Sequence, residues 1–180
     1  NITPMESRVA VVENGVLQEV HVERTQRRGI VGNIYKGKIV RVLPGMQAAF
    51  VDIGLDRAAF IHASEISLRE GQAVESIGTL VHEGQSLVVQ VTKDPIGSKG
   101  ARLTTQLSIP SRYLVYMPRT AHVGISLKIE DEAERERLKQ VVSDCVAQEG
   151  IKEAGGFILR TAAEGAGADE ILMDIRYLRR

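Results

Sequence analysis

Apolar and polar residues alternate at a period of two through most of the first two-thirds of the chain and at a helical period through the last third. The runs Arg8 to Glu13 and Val16 to Val22 are rich in β-branched residues and flank Asn14-Gly15, the pair that most favours a two-residue type I′ turn, so they predict a β-hairpin. Two strands alone are marginal, and this hairpin calls for more sheet or a packed partner. Beyond the polar, basic stretch Glu23 to Gly32, short strands are predicted at Ile34 to Leu43, Ala48 to Ile53, Ala58 to His62, Ser86 to Thr92 and Ala101 to Thr105. Glycines and Pro44 punctuate them, as in a small barrel. Glu132 to Ala147 then sets Leu138, Val141, Val142, Cys145 and Val146 at helical spacing, with Asp131 and Glu134 placed for an N-terminal capping box. Gly156 to Thr161 reads as a strand, and Asp169 to Arg180 as a helix with Ile171, Leu172, Ile175 and Leu178 inward. The predicted fold class is α/β, rich in β.

Composition narrows the function classes. With 180 residues, 43% hydrophobic, 26% charged and no formal net charge, the chain matches an ordinary globular protein and neither a disordered nor a collagenous one. No stretch approaches the roughly 18 apolar residues of a membrane span, and the N-terminus lacks the order of a signal peptide, so a cytoplasmic protein is expected. The single cysteine, Cys145, cannot form an intrachain disulfide or fill a zinc site alone. Its place on an apolar stripe reads as a small buried hydrophobe rather than a reactive thiol. Asp52, Asp56 and Asp94 are scattered in turn or strand contexts, and no catalytic triad order, P-loop or dinucleotide turn is present. No catalytic or metal-ligating residue is therefore assigned. The neutral total hides a segregation: Arg24 to Val51 holds Arg24, Arg27, Arg28, Lys36, Lys38 and Arg41 and no acid, leaving the rest net acidic. Such a segment is either a solvated face or a local polyanion site.

Parity along the strands selects candidate residues. In Ala48 to Ile53, alternation puts Ala49, Val51 and Ile53 on one face and Phe50 with Asp52 on the other. In Ala58 to His62 it puts Ile61 inward and Phe60 and His62 outward. Two of the three phenylalanines would then stand outside the barrel, where bases of a single strand stack on such rings while lysine and arginine follow the phosphates. The alternative is that the rings fill the barrel through a bulge that reverses parity. His62 joins the candidates by parity, and Lys36 by charge.

The stretches Asn33 to Ile39, Leu43 to Gly54 and Ala59 to Ile66 resemble the S1 RNA-binding domain, a five-stranded OB-fold barrel. With Lys99-Gly100-Ala101-Arg102-Leu103-Thr104-Thr105 closing the barrel, the whole chain resembles the ribonuclease E/G family. That resemblance implies residues 1–32 as part of an RNase H-like subdomain, 33–105 as the S1 domain, 106–168 as a 5′-sensor and 169–180 as the return to the RNase H-like part. It places Phe50, Phe60 and Lys99 at positions that grip RNA. Arg160 and Thr161 fall on the pair that holds a 5′ phosphate, and Ser111 and Val115 where the family lines the terminal nucleotide. Two departures stand out: Ser111 sits where glycine is common, and would narrow the pocket, while Leu127 replaces a phosphate-supporting arginine that Lys128 would replace only from the opposite side of an extended segment. The resemblance further implies single-stranded, preferably 5′-monophosphorylated RNA as partner, ribosomal RNA maturation and mRNA turnover as setting, and a homo-oligomeric parent with no membrane partner. Mg²⁺ for hydrolysis and a structural zinc would both be held outside this chain. The chain begins without Met and stops inside a helical pattern, and is expected to be a piece that binds RNA without cutting it. Rival readings are a non-catalytic S1-type RNA-binding protein of translation or RNA quality control, and a structural adaptor.

Overall fold

The computed structural model describes residues 1–66, 76–150 and 155–180. The hairpin forms as its turn residues require: β1 (Glu6–Glu13) and β2 (Val16–Arg24) pair antiparallel around Asn14 and Gly15, whose φ angles of 50° and 77° suit the type I′ turn. The register shifts between Val11 and Val12. Asn1–Val31 is a compact unit of its own, and Val9, Val12, Val16, Leu17, Val20 and Val22 of its sheet are exposed. Of the basic residues predicted to cluster, Arg24 pairs with Glu6 at 3.0 Å and Arg28 with Glu23 at 3.7 Å, so both are partly neutralised within this unit.

The second unit, Gly32–Arg180, begins with the barrel. Strands β3 (Ile34–Leu43), β4 (Ala48–Asp52) and β5 (Ala59–His62) are followed by the short helix α1 (Ile77–Leu80), then β6 (Ser86–Lys93) and β7 (Arg102–Thr104). They close in the order β3-β4-β5-β7-β6, with a parallel β5–β7 pair and antiparallel pairs elsewhere. Ile39, Ala49, Val51, Ile61, Val89, Val91 and Leu103 fill the interior, each at 2% exposure or less. Gly37 is required here, because a Cβ on it would lie 2.5 Å from Val51 Cγ1. Thr105, predicted in the last strand, leaves the ladder and donates its N–H and hydroxyl to the Glu65 carbonyl. Gln90 is buried and satisfied: its amide nitrogen donates to the carbonyls of Gly32 and Ser108, and its oxygen accepts from the Ser108 N–H at 2.8 Å. That clamp ties the barrel to the segment leading into the next sheet.

The remainder is a mixed sheet with two helices. β8 (Ile109–Pro110), β9 (Leu114–Met117) and β10 (Val123–Ile125) precede helix α2 (Glu132–Gln148), and β11 (Gly156–Leu159) precedes helix α3 (Ala168–Leu178). The sheet order is β10-β11-β9-β8, with β10 and β11 parallel. Leu138, Val142 and Cys145 of α2 and Ile171, Leu172, Ile175 and Leu178 of α3 are buried with Leu114, Phe157 and Leu159 in one core. Burial pushes the Cys145 thiol up, and its Sγ lies 3.7 Å from the Ala168 carbonyl, in keeping with a buried hydrophobe. The strand expected to reach Thr161 ends at Leu159, and Thr161–Ala163 forms a turn of 3₁₀ helix. Of the predicted capping box only one half forms: Asp131 accepts from the Ala133 N–H, whereas Glu134 turns to Arg137 and to the Gly165 N–H. Two guanidinium bonds, at 2.6 and 2.7 Å, and the Gly165 N–H at 2.8 Å outweigh one cap bond.

That triple contact pulls the Glu134 carboxyl down to about 2, with the Arg137 hydrogen bonds as the main cause. Because the folded-state value is depressed, the stabilisation is complete above the ordinary carboxylate range and is lost as pH falls toward about 2. Glu134→Gln is expected to remove part of the stability loss in that acid window, read by urea unfolding at a series of pH values.

Candidate nucleic-acid interface

Closing the barrel on small aliphatic side chains leaves no room inside for the two phenylalanine rings. Val51 and Ile61 are wholly buried, while Phe50 and Phe60, on the opposite parity, are half-buried on the outer face. The register sets the two rings side by side, and they meet edge to face with centroids 6.2 Å apart. The alternation predicted from sequence holds at both strands.

The row is longer than the sequence indicated. Arg41 of β3 is the register partner of Phe50, Phe60 that of Arg102, and Arg102 that of Lys93, so one line crosses the five strands as Arg41, Phe50, Phe60, Arg102 and Lys93. Strict alternation from the buried Ile39 would turn Arg41 inward. A bulge between Ile39 and Arg41 reverses the parity and leaves Arg41 exposed. Arg102 carries an ion pair to Glu65 at 3.3 Å.

The other predicted barrel residues sit differently. Lys99 is exposed in the turn joining β6 to β7, three residues before Arg102; that turn is closed by two hydrogen bonds between Ile96 and Lys99, and Arg57 donates to its Gly97 carbonyl. His62 follows Phe60 on β5, but its Nδ1 accepts the Ser64 N–H at 3.2 Å and lies 2.9 Å from the Ser64 hydroxyl, capping the short 3₁₀ turn after the strand. Lys36 is exposed where β3 pairs with β6, opposite Val88, roughly 16 Å along the strand from Arg41. The fold does not bring it to the ring pair.

A second group of predicted residues meets at the end of β11. Arg160 follows the strand, donating its N–H to the Tyr113 carbonyl at 2.8 Å and its guanidinium to the Ser111 carbonyl. The segment receiving both bonds is pinned by one carboxylate: Asp174 Oδ2 on α3 accepts from the Ser111 hydroxyl at 2.5 Å, the Tyr113 N–H at 2.8 Å and the Leu114 N–H at 3.1 Å. One turn earlier on α3, Glu170 accepts the Tyr113 hydroxyl at 2.5 Å, which holds the Glu170 carboxyl below the usual range and pushes the Tyr113 phenol up. The Ser111 side chain is therefore directed to Asp174 and does not narrow the pocket, contrary to expectation; only its carbonyl reaches Arg160.

Arg160 and Thr161, with Ser126, Ile158, Leu159 and Ala162, line an open hollow of about 330 Å³. Val115 is half-buried on β9 directly opposite Ile158. Ser126 was missed from sequence: its hydroxyl lies 3.1 Å from that of Thr161 and accepts the Lys128 N–H at 3.3 Å, and its position depends on the parallel β10–β11 pairing. Leu127 is 89% exposed at the tip of a turn closed by the Ile129 N–H on the Ser126 carbonyl, so this segment is not extended at Leu127 and Lys128. The hollow thus presents a guanidinium and two hydroxyls, the donor set that suits a phosphate group. Among the described residues no cluster of three or more His, Cys, Asp or Glu could hold a metal ion, and no helix is long and apolar enough to cross a membrane.

An S1-type barrel with two half-buried rings on its outer face, joined to an α/β layer bearing an open hollow at Arg160, defines an RNA-binding class of protein, and residues 29–94 match the S1 RNA binding domain. Residues 108–180 match the model of the ribonuclease E/G family. Over its full length the chain is 58% identical to ribonuclease G of Escherichia coli strain K12 and 54% identical to ribonuclease G of Haemophilus influenzae, spanning 38% of each relative's length. Similarity to ribonuclease E of Haemophilus influenzae is lower, 39% over 96% of this chain and 19% of that protein.

The dependence of Arg160 on Asp174 is testable. Asp174→Ala removes three hydrogen-bond acceptances at once and is expected to destabilise the second unit by about 3 kcal/mol, measured by urea unfolding.

Proposed function

We propose that this chain is the RNA-recognition part of a single-strand-specific endoribonuclease of RNA processing and decay, similar to ribonuclease G. On this reading the barrel face stacks bases on Phe50 and Phe60, with Lys99 at its edge, and the hollow at Arg160 and Thr161 receives a 5′ monophosphate, with Val115 beside the terminal nucleotide. The observation that carries the reading is the coexistence, in one compact unit, of a half-buried ring pair on the outer face of the barrel and an arginine, Arg160, held through its main-chain N–H on the Tyr113 carbonyl and its guanidinium on the Ser111 carbonyl. Full-length identity to proteins named ribonuclease G supports the activity of the whole enzyme, of which this chain spans the share given above.

RNA hydrolysis by the complete protein is proposed to use water activated by Mg²⁺, which would supply a nucleophile and neutralise charge on the phosphate. Among the described residues no cluster of side chains fits that ion. What they do is bind and orient: the rings take bases out of water, and the guanidinium with the two hydroxyls fixes the position of the end. The chain alone is therefore expected to bind RNA and leave it intact when Mg²⁺ is added. Metal-dependent cleavage abolished by replacing an Asp within residues 1–180 would overturn this.

The test is fluorescence anisotropy with one short unstructured RNA carrying either a 5′ monophosphate or a 5′ hydroxyl. A preference for the monophosphate of about tenfold is expected, matching one charge-assisted contact, and Arg160→Ala abolishes it. Phe50→Ala and Phe60→Ala each weaken both RNAs by about 1 to 3 kcal/mol. Equal binding of the two RNAs by the unaltered chain would favour a non-catalytic S1-type binding module instead.

A further inference from the structure

We propose that the Ser126 hydroxyl donates to Thr161 and thereby aims the Thr161 hydrogen into the hollow at Arg160, which makes Ser126 a positioning residue for the RNA 5′ phosphate. This rests on the reading above that a 5′ monophosphate enters the hollow, and adds the residue that decides how its hydroxyl donor points.

The fold brings the two hydroxyls together from positions 35 residues apart. Ser126 Oγ lies 3.1 Å from Thr161 Oγ1, and both residues line the hollow with Arg160. Two hydroxyls in contact hold one hydrogen between them and leave the other to give away. The surroundings set the direction. Ser126 is half-buried and its Oγ already accepts the Lys128 N–H at 3.3 Å, whereas Thr161 is exposed and follows Arg160 directly in the chain. A negatively charged phosphate oxygen draws a hydrogen more strongly than a neutral hydroxyl does. With the anion bound, Thr161 turns its hydrogen to the phosphate and Ser126 gives its own to the Thr161 oxygen. Donation then runs one way, from the Lys128 N–H through Ser126 and Thr161 to the anion, and each bond polarises the next.

Ser126 is held firmly enough to act in this way. Its N–H donates to the Leu159 carbonyl at 2.8 Å, beside Arg160 in the chain. Its carbonyl accepts the Ile129 N–H at 3.2 Å and the Arg135 guanidinium at 3.0 Å, and the same guanidinium nitrogen reaches the Ile129 carbonyl at 3.0 Å. Arg135 stands in the first turn of α2 with its side chain 21% exposed, and Ile129 is wholly buried, so the turn from Ser126 to Ile129 is fixed at both ends. A hydroxyl free to rotate also offers the phosphate a lone pair, which repels it. Setting the rotor in advance removes that ordering cost from binding.

The experiment is fluorescence anisotropy of the full chain with one short unstructured RNA bearing a 5′ monophosphate or a 5′ hydroxyl, read as the ratio of the two affinities, with urea unfolding of each variant in parallel. Ser126→Ala is expected to lower the ratio about threefold to fivefold, the worth of one neutral hydrogen bond, and to leave binding of the 5′-hydroxyl RNA unchanged. Ser126→Thr keeps the hydroxyl and restores the ratio. In a Thr161→Val background Ser126→Ala changes nothing further, because the donor it orients is gone. A ratio untouched by Ser126→Ala, while Arg160→Ala abolishes the preference, would overturn this inference and leave the reading of the hollow in place. An equal loss in Ser126→Thr, or weaker binding of both RNAs by Ser126→Ala, would assign Ser126 a purely structural role and overturn it too. An undiminished effect of Ser126→Ala in the Thr161→Val background would make Ser126 a direct contact instead. Absence of any preference in the unaltered chain would overturn the reading on which the inference rests.

Discussion

The constraint on which the structure depends is closure of the five-stranded barrel. A barrel of this size has an interior only wide enough for side chains, and here it is filled by Ile39, Ala49, Val51, Ile61, Val89, Val91 and Leu103. Once the parallel β5–β7 pair closes the ring of strands, every large or charged residue on the opposite parity must stand outside. Phe50, Phe60 and Arg102 stand on the outer face for the same reason that Val51, Ile61 and Leu103 are buried. The core and the ring-bearing surface are two faces of one alternation, so that surface inherits the rigidity of the barrel.

The hollow at Arg160 is built by another route. No closed sheet positions Arg160; a single carboxylate does, at one remove. Asp174 organises residues 111–114, and that segment holds Arg160 through its main chain and its guanidinium. The arrangement makes the site depend on α3, whose inward face is anchored by Ile171, Leu172, Ile175 and Leu178. Helix packing thereby reaches the hollow through three hydrogen bonds. The barrel and the hollow share one compact unit, connected where Gln90 clamps Ser108.

Much of this was legible in the sequence because barrel strands with one buried face alternate strictly. Ala48 to Asp52 and Ala59 to His62 could be read for both strand and direction, and the stripes of Leu138, Val142 and Cys145 and of Ile171 to Leu178 gave two helices with the correct inward faces. Arg41 could not be read, because a bulge reverses parity without altering the local pattern. Arg102, between Ala101 and Leu103, points outward by alternation, but only the register shows that it stands beside Phe60. Strands β8, β9 and β10 are two to four residues long and carry too few periods to be recognised. Ser126 and Asp174 gain their roles from partners 35 and 63 residues away, a relation no local pattern contains.

The most direct measurement of the central claim is an NMR titration of the chain with a short single-stranded RNA carrying a 5′ monophosphate, following the phenylalanine ring signals and the backbone amides together. The account predicts that the rings of Phe50 and Phe60 and the amides around Arg160 and Thr161 shift in the same titration, while the outward face of α2 stays still. Shifts confined to other surfaces, with both the rings and the Arg160 segment unmoved, would contradict it.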